Sequence, residues 1–258
     1  MSVFEHVRLG DLRGKRVLVT GGSTGIGAAV ALGFAAQGAS VVVHYNQSKA
    51  AAEEVRSKAS DRIILAHGDM GVEGEAKKVV DAAASALGGL DGIVNNAGGM
   101  LGRIPTTEIS PDHFDRVLDL NAKSVWEATI AAHPHLLQAG GGFVINTTSV
   151  AARNGGGGGA IIYAAAKAFV SSLTRGQAKE FVKDRIRVNA VAPGLIQTPF
   201  HDRYTSPEIM AAQRATIPMG REGSPEECVG AFLFLASEAM SGYITGQVIE
   251  VNGGQLMP

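Results

Sequence analysis

Short runs of β-branched and aliphatic residues alternate along the chain with longer alanine-rich stretches. The short runs are apolar at successive positions, as in strands that are buried on both faces, and the longer stretches have helical length. The pattern predicts seven strands, at 16–20, 40–44, 62–66, 92–95, 143–146, 186–192 and 247–251. It predicts helices between them, at 25–37, 49–58, 73–87, 111–132, 163–182 and 225–237.

Strands that are each followed by a helix imply a parallel sheet with helices on both faces. With right-handed crossovers, this pattern predicts an α/β doubly wound Rossmann fold with a seven-stranded parallel sheet, in a single domain over 1–258. Residues 1–11 form an N-terminal extension before the first strand. The stretch from about 197 to 223 has poor periodicity and three prolines. Because so long a loop inside a domain is usually functional, we expect a substrate loop or lid there.

Composition and charge exclude several classes of function. Of the 258 residues, 45% are hydrophobic and 18% are charged, which is typical of a globular protein rather than a disordered one. The 23 basic and 24 acidic residues form no basic field for nucleic acid and no polybasic stretch for a membrane surface. Cys228 is the single cysteine, which excludes an internal disulfide, and no apolar run reaches the length of a membrane span. We therefore expect a cytoplasmic protein.

Two other chemistries are not supported by the sequence. His133 and His135 flank a proline without further histidine or acidic partners nearby, so we interpret them as helix-end residues and expect no metal site. A serine hydrolase would need a Gly-x-Ser-x-Gly turn at its nucleophile, and Ser149 is instead followed by Val-Ala-Ala.

Glycine is unusually frequent, with 34 residues, and a cluster of glycines follows the first predicted strand. Residues 20–27 read Thr-Gly-Gly-Ser-Thr-Gly-Ile-Gly, and glycines there let the backbone approach a ligand closely. The N–H groups and the dipole at the start of the next helix favour a pyrophosphate. The turn therefore predicts nucleotide binding rather than a purely structural role. Its Gly-x-x-x-Gly-x-Gly spacing differs from the Gly-x-Gly-x-x-Gly dinucleotide pattern.

This spacing occurs together with several further motifs in a fixed order. They are Asn-Asn-Ala-Gly at 95–98, Asn121, Ser149, the pair Tyr163 and Lys167, Pro193-Gly194, and a tail with Ile-Thr-Gly-Gln at 244–247 and Val-Asn-Gly-Gly at 251–254. With this set, the chain resembles the classical short-chain dehydrogenase/reductases from about residue 12 to residue 254. The resemblance implies hydride transfer between a nicotinamide and a small-molecule carbonyl or secondary alcohol.

Tyr163 and Lys167 are four residues apart on a predicted helix, so they share one face. The pKa of a free phenol lies near 10, and a neighbouring ammonium together with an oxidised nicotinamide would lower it. The resemblance implies that Tyr163 exchanges the proton with the substrate oxygen and that Ser149 hydrogen-bonds the same oxygen. It also implies that Lys167 holds the nicotinamide ribose and that Asn121 anchors a water. Ser149 and Tyr163 are 14 residues apart with five glycines between them, which predicts a bulged loop beside the substrate.

The second strand is followed by Tyr45 in the position where NAD-binding folds usually carry an acidic residue for the ribose 2′-hydroxyl. Because no carboxylate would repel a 2′-phosphate there, we expect NADP(H), with NAD(H) as the weaker alternative. The cofactor-binding residues implied by the resemblance are Gly21, Ser23, Thr24, Gly25, Ile26, Gly27, Tyr45, Asn46, Ser48, Lys49, Asp69, Met70, Asn95, Ala97, Gly98, Tyr163, Lys167, Pro193, Gly194, Ile196 and Thr198.

Two alternatives to a general ketoreductase stay open. The chain is similar to 3-oxoacyl-[acyl-carrier-protein] reductases, but the positions expected to carry basic residues for a carrier protein are Gly142 and Asp184. A non-catalytic NADP sensor on the same fold would not need to keep Asn121, Ser149, Tyr163 and Lys167. The resemblance also implies a symmetric homotetramer. One interface would use the helices at 163–182 and 111–132, and the other would use the last strand and the helix at 225–237.

Overall fold

All seven predicted strands are present, and they form one parallel sheet. The computed structural model describes residues 8–257, apart from the side chains of 201 and 202, so 1–7 of the expected N-terminal extension lie outside the described residues. The strands are β1 (Arg16–Val19), β2 (Ser40–Tyr45), β3 (Ile63–His67), β4 (Gly92–Asn95), β5 (Gly142–Thr147), β6 (Ile186–Pro193) and β7 (Val248–Val251). Their order across the sheet, β3-β2-β1-β4-β5-β6-β7, confirms the doubly wound α/β fold.

Eleven α-helices lie in the described part of the chain. They are α1 (Gly25–Ala36), α2 (Lys49–Ser57), α3 (Glu75–Leu87), α4 (Pro111–Leu118), α5 (Ser124–Gln138), α6 (Ala151–Asn154), α7 (Ile161–Phe181), α8 (Pro199–Tyr204), α9 (Pro207–Arg214), α10 (Pro225–Ala236) and α11 (Glu238–Ser241). Within residues 8–257, none of these helices is long and apolar enough to span a membrane.

The two faces of the sheet have separate cores, because successive side chains of each strand point to opposite faces. Val17 and Val19 of β1 pack with α1 and α10, where Phe34 stacks on Phe143 at a centroid distance of 5.9 Å. Leu18, between the two valines, packs with α3, α5 and α7 on the other face. Each such fully buried side chain contributes about 1.5–3 kcal/mol to folding. The strands are therefore apolar throughout, as the sequence pattern indicated.

The helix expected over 111–132 is interrupted in its middle. α4 ends at Leu118, a wider π-helical turn follows over Asp119–Lys123, and α5 continues past Pro134 to Gln138. Within the turn, the Asn121 Nδ2 group donates a hydrogen bond of 2.9 Å to the Val117 carbonyl. This side chain satisfies a carbonyl that an α-helix would pair with a backbone N–H four residues later. Such wide turns frequently occur at functional sites.

Two segments expected as irregular loops contain short helices. The stretch over 197–223 carries α8 and α9, and Pro199 and Pro207 are the first residues of these helices. Proline is favourable at that position because its fixed φ suits a helix and the first turn needs no N–H partner. The loop between Ser149 and Tyr163 contains α6, which ends at Gly155 with a φ of +80°. Both segments lie beside the same end of the sheet.

The sheet order reverses between β1 and β4. The chain leaves β1 toward β2 on one side and leaves β4 toward β5 on the other, so the two connections separate at this point. A crevice between them at the carboxyl ends of the strands is the usual ligand site of such sheets.

Candidate active site

A cleft with a volume of about 600 Å³ lies at the carboxyl ends of the strands, where the sheet order reverses. Of the predicted site residues, those that line it are Gly21, Ser23, Thr24, Gly25, Ile26, Asn46, Ser48, Met70, Ala97, Gly98, Ser149, Tyr163, Lys167, Pro193, Gly194, Ile196 and Thr198. Six others do not line it, namely Gly27, Tyr45, Lys49, Asp69, Asn95 and Asn121.

The glycine turn joins β1 to the start of α1 and forms one end of the cleft. Thr24 precedes the helix, but its side chain makes no capping hydrogen bond, and the first turn of α1 has no acidic residue. The first N–H groups of a helix have no partners within the helix, and its dipole is positive at that end. This end of the cleft is therefore suited to an anionic group such as a pyrophosphate.

Two of the glycines are required by close contacts. Gly21 has a φ of +61°, and a Cβ atom on it would lie 2.9 Å from the Ala97 Cα. A Cβ atom on Gly27 would lie 2.2 Å from the Gly21 carbonyl oxygen. Gly27 therefore supports the turn from within the helix instead of contacting a ligand.

Thr20 and Asn96 hold the loops after β1 and β4 together. The Thr20 Oγ1 atom accepts hydrogen bonds from the N–H groups of Asn96 and Ala97, at 2.9 and 3.0 Å. The Asn96 Nδ2 group donates to the carbonyls of Thr20 and Gly21, at 3.2 and 3.1 Å. Sequence reasoning missed Asn96, although it lines the cleft, because its role depends on a contact 75 residues away in the chain.

His44 is a second residue that sequence reasoning missed. Its ring is buried at the end of β2, where Nδ1 accepts a hydrogen bond of 3.0 Å from the Gly21 N–H group. Nε2 lies 3.1 Å from the Gly68 carbonyl and donates to it, so these two partners require the neutral Nε2–H tautomer. Burial lowers the pKa of His44, and the neighbouring His67 acts in the same direction. The glycine turn is thereby tied to the loop after β3.

The residues expected near the adenine ribose divide into two groups. Asn46 and Ser48 line the cleft, together with Gln47. The Tyr45 ring instead packs against His67 at a centroid distance of 5.3 Å, outside the cleft lining. Asp69 accepts a hydrogen bond from the Gly71 N–H group at 2.9 Å, and the next residue, Met70, faces the cleft.

Two buried asparagines support the cleft from behind. Asn95 donates to Thr129 Oγ1 and to Asn146 Oδ1, both at 2.9 Å, in the interior of the sheet. Asn121 accepts from the Gly99 N–H group at 3.0 Å and donates to the Gly99 carbonyl at 2.8 Å. Asn121, which lies in the π-helical turn, therefore fixes the backbone next to Gly98.

Ser149, Tyr163 and Lys167 converge at the middle of the cleft. The Ser149 hydroxyl hydrogen-bonds the Tyr163 hydroxyl, and Lys167 Nζ lies 5.7 Å from the centroid of the Tyr163 ring. The same ammonium donates a hydrogen bond of 2.9 Å to the Thr147 carbonyl at the end of β5. Helix α7 supplies the tyrosine and the lysine one turn apart, and the segment after β5 supplies the serine.

Burial acts on the two titratable groups in opposite directions. It raises the pKa of Tyr163 to about 12, against the smaller lowering effect of the bond from Ser149. It lowers the pKa of Lys167 to about 8. Desolvation disfavours the charged form of each group, so the protein alone holds a neutral phenol. The low phenol pKa expected from the sequence therefore needs a further positive charge in the cleft.

His133 and His135 have separate acidic partners. His133 Nε2 lies 2.8 Å from Asp184, and His135 Nε2 lies 3.5 Å from Asp81. Among the described residues, no group of three or more histidine, cysteine or acidic side chains is placed to hold a metal ion.

Comparison with known proteins identifies the family. Residues 21–255 match the family described as enoyl-(acyl carrier protein) reductase. The chain is 38% identical over 251 residues to 3β-hydroxysteroid dehydrogenase 1 of Eggerthella lenta, covering 96% of this chain and 95% of that protein. The chain belongs to the short-chain dehydrogenase/reductase family. It is thus an oxidoreductase that acts on alcohol or carbonyl groups with a nicotinamide cofactor.

Solved structures of related reductases contain both nicotinamide cofactors. The NADH-dependent reductase A1-R′ complexed with NAD is 40% identical, has a TM-score of 0.86, and the match covers 97% of this chain and 100% of that one. A short-chain dehydrogenase from Burkholderia cenocepacia J2315 in complex with NADP is 32% identical, with a TM-score of 0.88 and coverage of 95% and 99%. The comparison therefore supports a nicotinamide cofactor without choosing between the two.

The environment of His44 predicts a pH-dependent stability. The folded protein favours the neutral ring, so below the ordinary pKa of about 6.5 the unfolded chain binds more protons, and the free energy of unfolding falls as the pH falls. His44→Asn removes this titration and, at pH 7.5, costs about 1 kcal/mol through the altered Gly21 bond. The stability difference between wild type and variant, measured by denaturant unfolding, should narrow from pH 7.5 to 5.5. A difference that is constant over this range would contradict the assignment.

Proposed function

We propose that this chain catalyses the NADP(H)-dependent interconversion of a carbonyl compound and a secondary alcohol. The observation that carries the proposal is the convergence of Ser149, Tyr163 and Lys167 in a cleft whose far end is the uncapped start of α1. A proton donor and a phosphate-binding turn in one cleft are what a reductase with a dinucleotide cofactor requires.

The residues present fit a nicotinamide dinucleotide. The N–H groups at the start of α1 and the glycine turn would hold the pyrophosphate. Asn46, Ser48 and Met70 would surround the adenosine, and Ile196 and Thr198 would hold the nicotinamide near Lys167. Bound there, the nicotinamide supplies a hydride to the carbonyl carbon or accepts one from the alcohol.

Side chains of the protein carry out the proton transfer. Tyr163 donates its phenolic proton to the substrate oxygen as negative charge develops there, and Ser149 hydrogen-bonds the same oxygen. Lys167 stabilises the phenolate that remains. Because its pKa is about 8, Lys167 can also exchange a proton near neutral pH. Asn121 keeps the Gly98–Gly99 backbone in place beside it.

Burial keeps Tyr163 protonated before the cofactor binds. With a pKa raised to about 12, Tyr163 is fully protonated at neutral pH and is ready to act as an acid. Alcohol oxidation would need the phenolate, which burial disfavours until the positively charged nicotinamide is bound. Tyr163 can therefore act as the acid in carbonyl reduction, and a bound oxidised nicotinamide would favour its phenolate for alcohol oxidation.

The adenosine end of the cleft supports NADP(H). Asn46, Gln47 and Ser48 are all neutral hydrogen-bonding residues, and no Asp or Glu occurs among the described residues that line the cleft. A 2′-phosphate therefore meets potential donors without a repelling carboxylate. Asn46 and Ser48 support the cofactor preference more than Tyr45 does, because the Tyr45 ring packs on His67.

We also propose the homotetramer. Trp126 and Ile130 on α5 are each 46% exposed, and Phe169 on α7 is 48% exposed. Phe114 on α4 is 41% exposed. Large apolar side chains on the two helices that the family resemblance assigns to one interface support this assembly.

Replacing the proposed acid tests the mechanism. Tyr163→Phe should lower kcat by about 10²- to 10⁴-fold, because the hydroxyl proton is lost while the ring is kept. Cofactor affinity, measured by fluorescence titration, should change little. Tyr243→Phe is the matched control, since Tyr243 is fully exposed at 105% relative accessibility. Turnover of the Tyr163 variant at the wild-type rate would contradict its role, and a wild type that binds NADPH without reducing any carbonyl would indicate a sensor.

A charge substitution tests the cofactor preference. Wild type should have a higher kcat/KM with NADPH than with NADH. Asn46→Asp should shift this ratio toward NADH by about tenfold or more, because a carboxylate accepts from the 2′-hydroxyl and repels the 2′-phosphate. Asn154→Asp adds the same charge at the other end of the cleft and keeps the acceptor for the Gly156 N–H group, so it should leave the ratio unchanged. A wild type that prefers NADH would refute the assignment.

Light scattering after size exclusion tests the assembly. The measured mass should be four times the chain mass at micromolar concentration. Trp126→Glu should shift it toward smaller species, because a charge placed in an apolar interface is costly to bury. A wild-type monomer at all concentrations would refute the tetramer and leave the catalytic proposal unaffected.

A further inference from the structure

The described charged side chains that line the cleft are all basic. Arg103, Lys167 and Arg203 line it, and none of its described lining residues is Asp or Glu. The chain as a whole is nearly neutral, with a formal charge of −1, so the cleft departs from the average of the protein. Lys167 belongs to the proton-transfer group, which leaves the two arginines without an assigned role.

Arg103 differs from several other arginines of this protein in its partners. Arg16, Arg153 and Arg214 each pair with a carboxylate, on Asp91, Glu250 and Glu222 respectively. The Arg103 guanidinium is partly buried and donates to neutral acceptors, the carbonyls of Tyr204 at 2.6 Å and Gly158 at 2.9 Å and the Thr205 hydroxyl at 3.4 Å. Within the described residues, no carboxylate lies within salt-bridge distance of it. Three of its five N–H groups are used, and no carboxylate of the described side chains neutralises its charge.

Arg103 lies at the substrate end of the cleft. It bonds the backbone of Tyr204, whose ring contacts Phe200 at 5.3 Å, and Phe200 contacts the Tyr163 ring at 5.6 Å. The adenosine residues Asn46 and Ser48 belong to the loop after β2, on the other side of the reversal point. Arg103 is therefore connected to the acid Tyr163 through the wall that a substrate would contact.

A second polar side chain approaches Arg103 from the neighbouring helix. A Cβ atom placed on Gly157 would lie 3.6 Å from Arg103 Nη1 and 3.5 Å from Gln213 Nε2. The absence of a side chain on Gly157 leaves room beside two nitrogen donors. Arg103 and Gln213 both line the cleft, so a guanidinium and an amide donor are available there to the oxygens of a carboxylate.

We propose that Arg103, assisted by Gln213, binds a carboxylate of the substrate, so that the enzyme acts on oxo acids or other carbonyl compounds with a carboxylate. This inference rests on the proposed reductase function and adds a substrate class to it. Arg203, exposed on α8, adds positive potential that attracts such an anion into the cleft.

The test compares oxo acids with their methyl esters, which lack the negative charge and are larger by one methyl group. Acetoacetate and 4-oxopentanoate are assayed with NADPH against their methyl esters, in wild type, Arg103→Gln, Gln213→Glu and the exposed control Arg116→Gln. In wild type and in the control, kcat/KM should favour each acid by about tenfold or more. Arg103→Gln and Gln213→Glu should reduce the acid-to-ester ratio by about tenfold, chiefly through KM.

The outcomes separate the possible explanations. If acid and ester activities fall equally in Arg103→Gln, the arginine is a structural link between loops and the inference is wrong. If wild type reduces the esters as well as the acids, the substrate class is wrong and the reductase function stands. Absence of turnover with every carbonyl compound would refute the reductase function itself. Hydroxyacetone phosphate is compared with hydroxyacetone to test whether the site prefers a phosphate. If phosphate raises kcat/KM by a larger factor than the carboxylate does, the carboxylate assignment is wrong.

Discussion

The close approach of the loops after β1 and β4 determines where the other functional groups lie. Thr20 Oγ1 accepts two N–H groups from the second loop, and Gly21 lies so near Ala97 that no side chain fits between them. These contacts set the start of α1 at a fixed distance from the ends of β4 and β5. Because α1 carries the N–H groups that we propose to bind phosphate and β5 leads to Ser149, the two halves of the cleft keep one relative position.

Burial then makes the catalytic group depend on the cofactor. In a desolvated site the neutral forms of Tyr163 and Lys167 are both favoured, as the pKa values of about 12 and about 8 show. An oxidised nicotinamide adds a positive charge, which favours phenolate and would lower the pKa of Tyr163. In the proposed mechanism, proton transfer in the oxidising direction therefore depends on the oxidised cofactor. In its absence the phenol keeps its proton.

Sequence patterns predicted the features that depend on residues close together in the chain. The β-branched runs indicated all seven strands, and the glycine turn, which predicts phosphate binding, lines one end of the cleft. The roles of His44 and Asn96 could not be predicted in this way, because both depend on contacts that are distant in sequence. His44 accepts from Gly21, 23 residues away, and Asn96 donates to Gly21, 75 residues away. The wide turn at Asn121 likewise depends on Gly99, a contact in another loop. Prolines that suggested an irregular loop instead begin helices, because proline is equally suited to both positions.

The two ends of the cleft are built from different structural elements, and the proposed functions of cofactor and substrate binding divide between them. The cofactor end consists of backbone N–H groups and glycines fixed by the central strands, where a side chain has no room. The substrate end consists of side chains on short helices, α6, α8 and α9, linked by Arg103 to Tyr204 and Gly158. A substitution there changes charge or shape without moving the sheet. Specificity can therefore change at the substrate end while hydride and proton transfer stay the same.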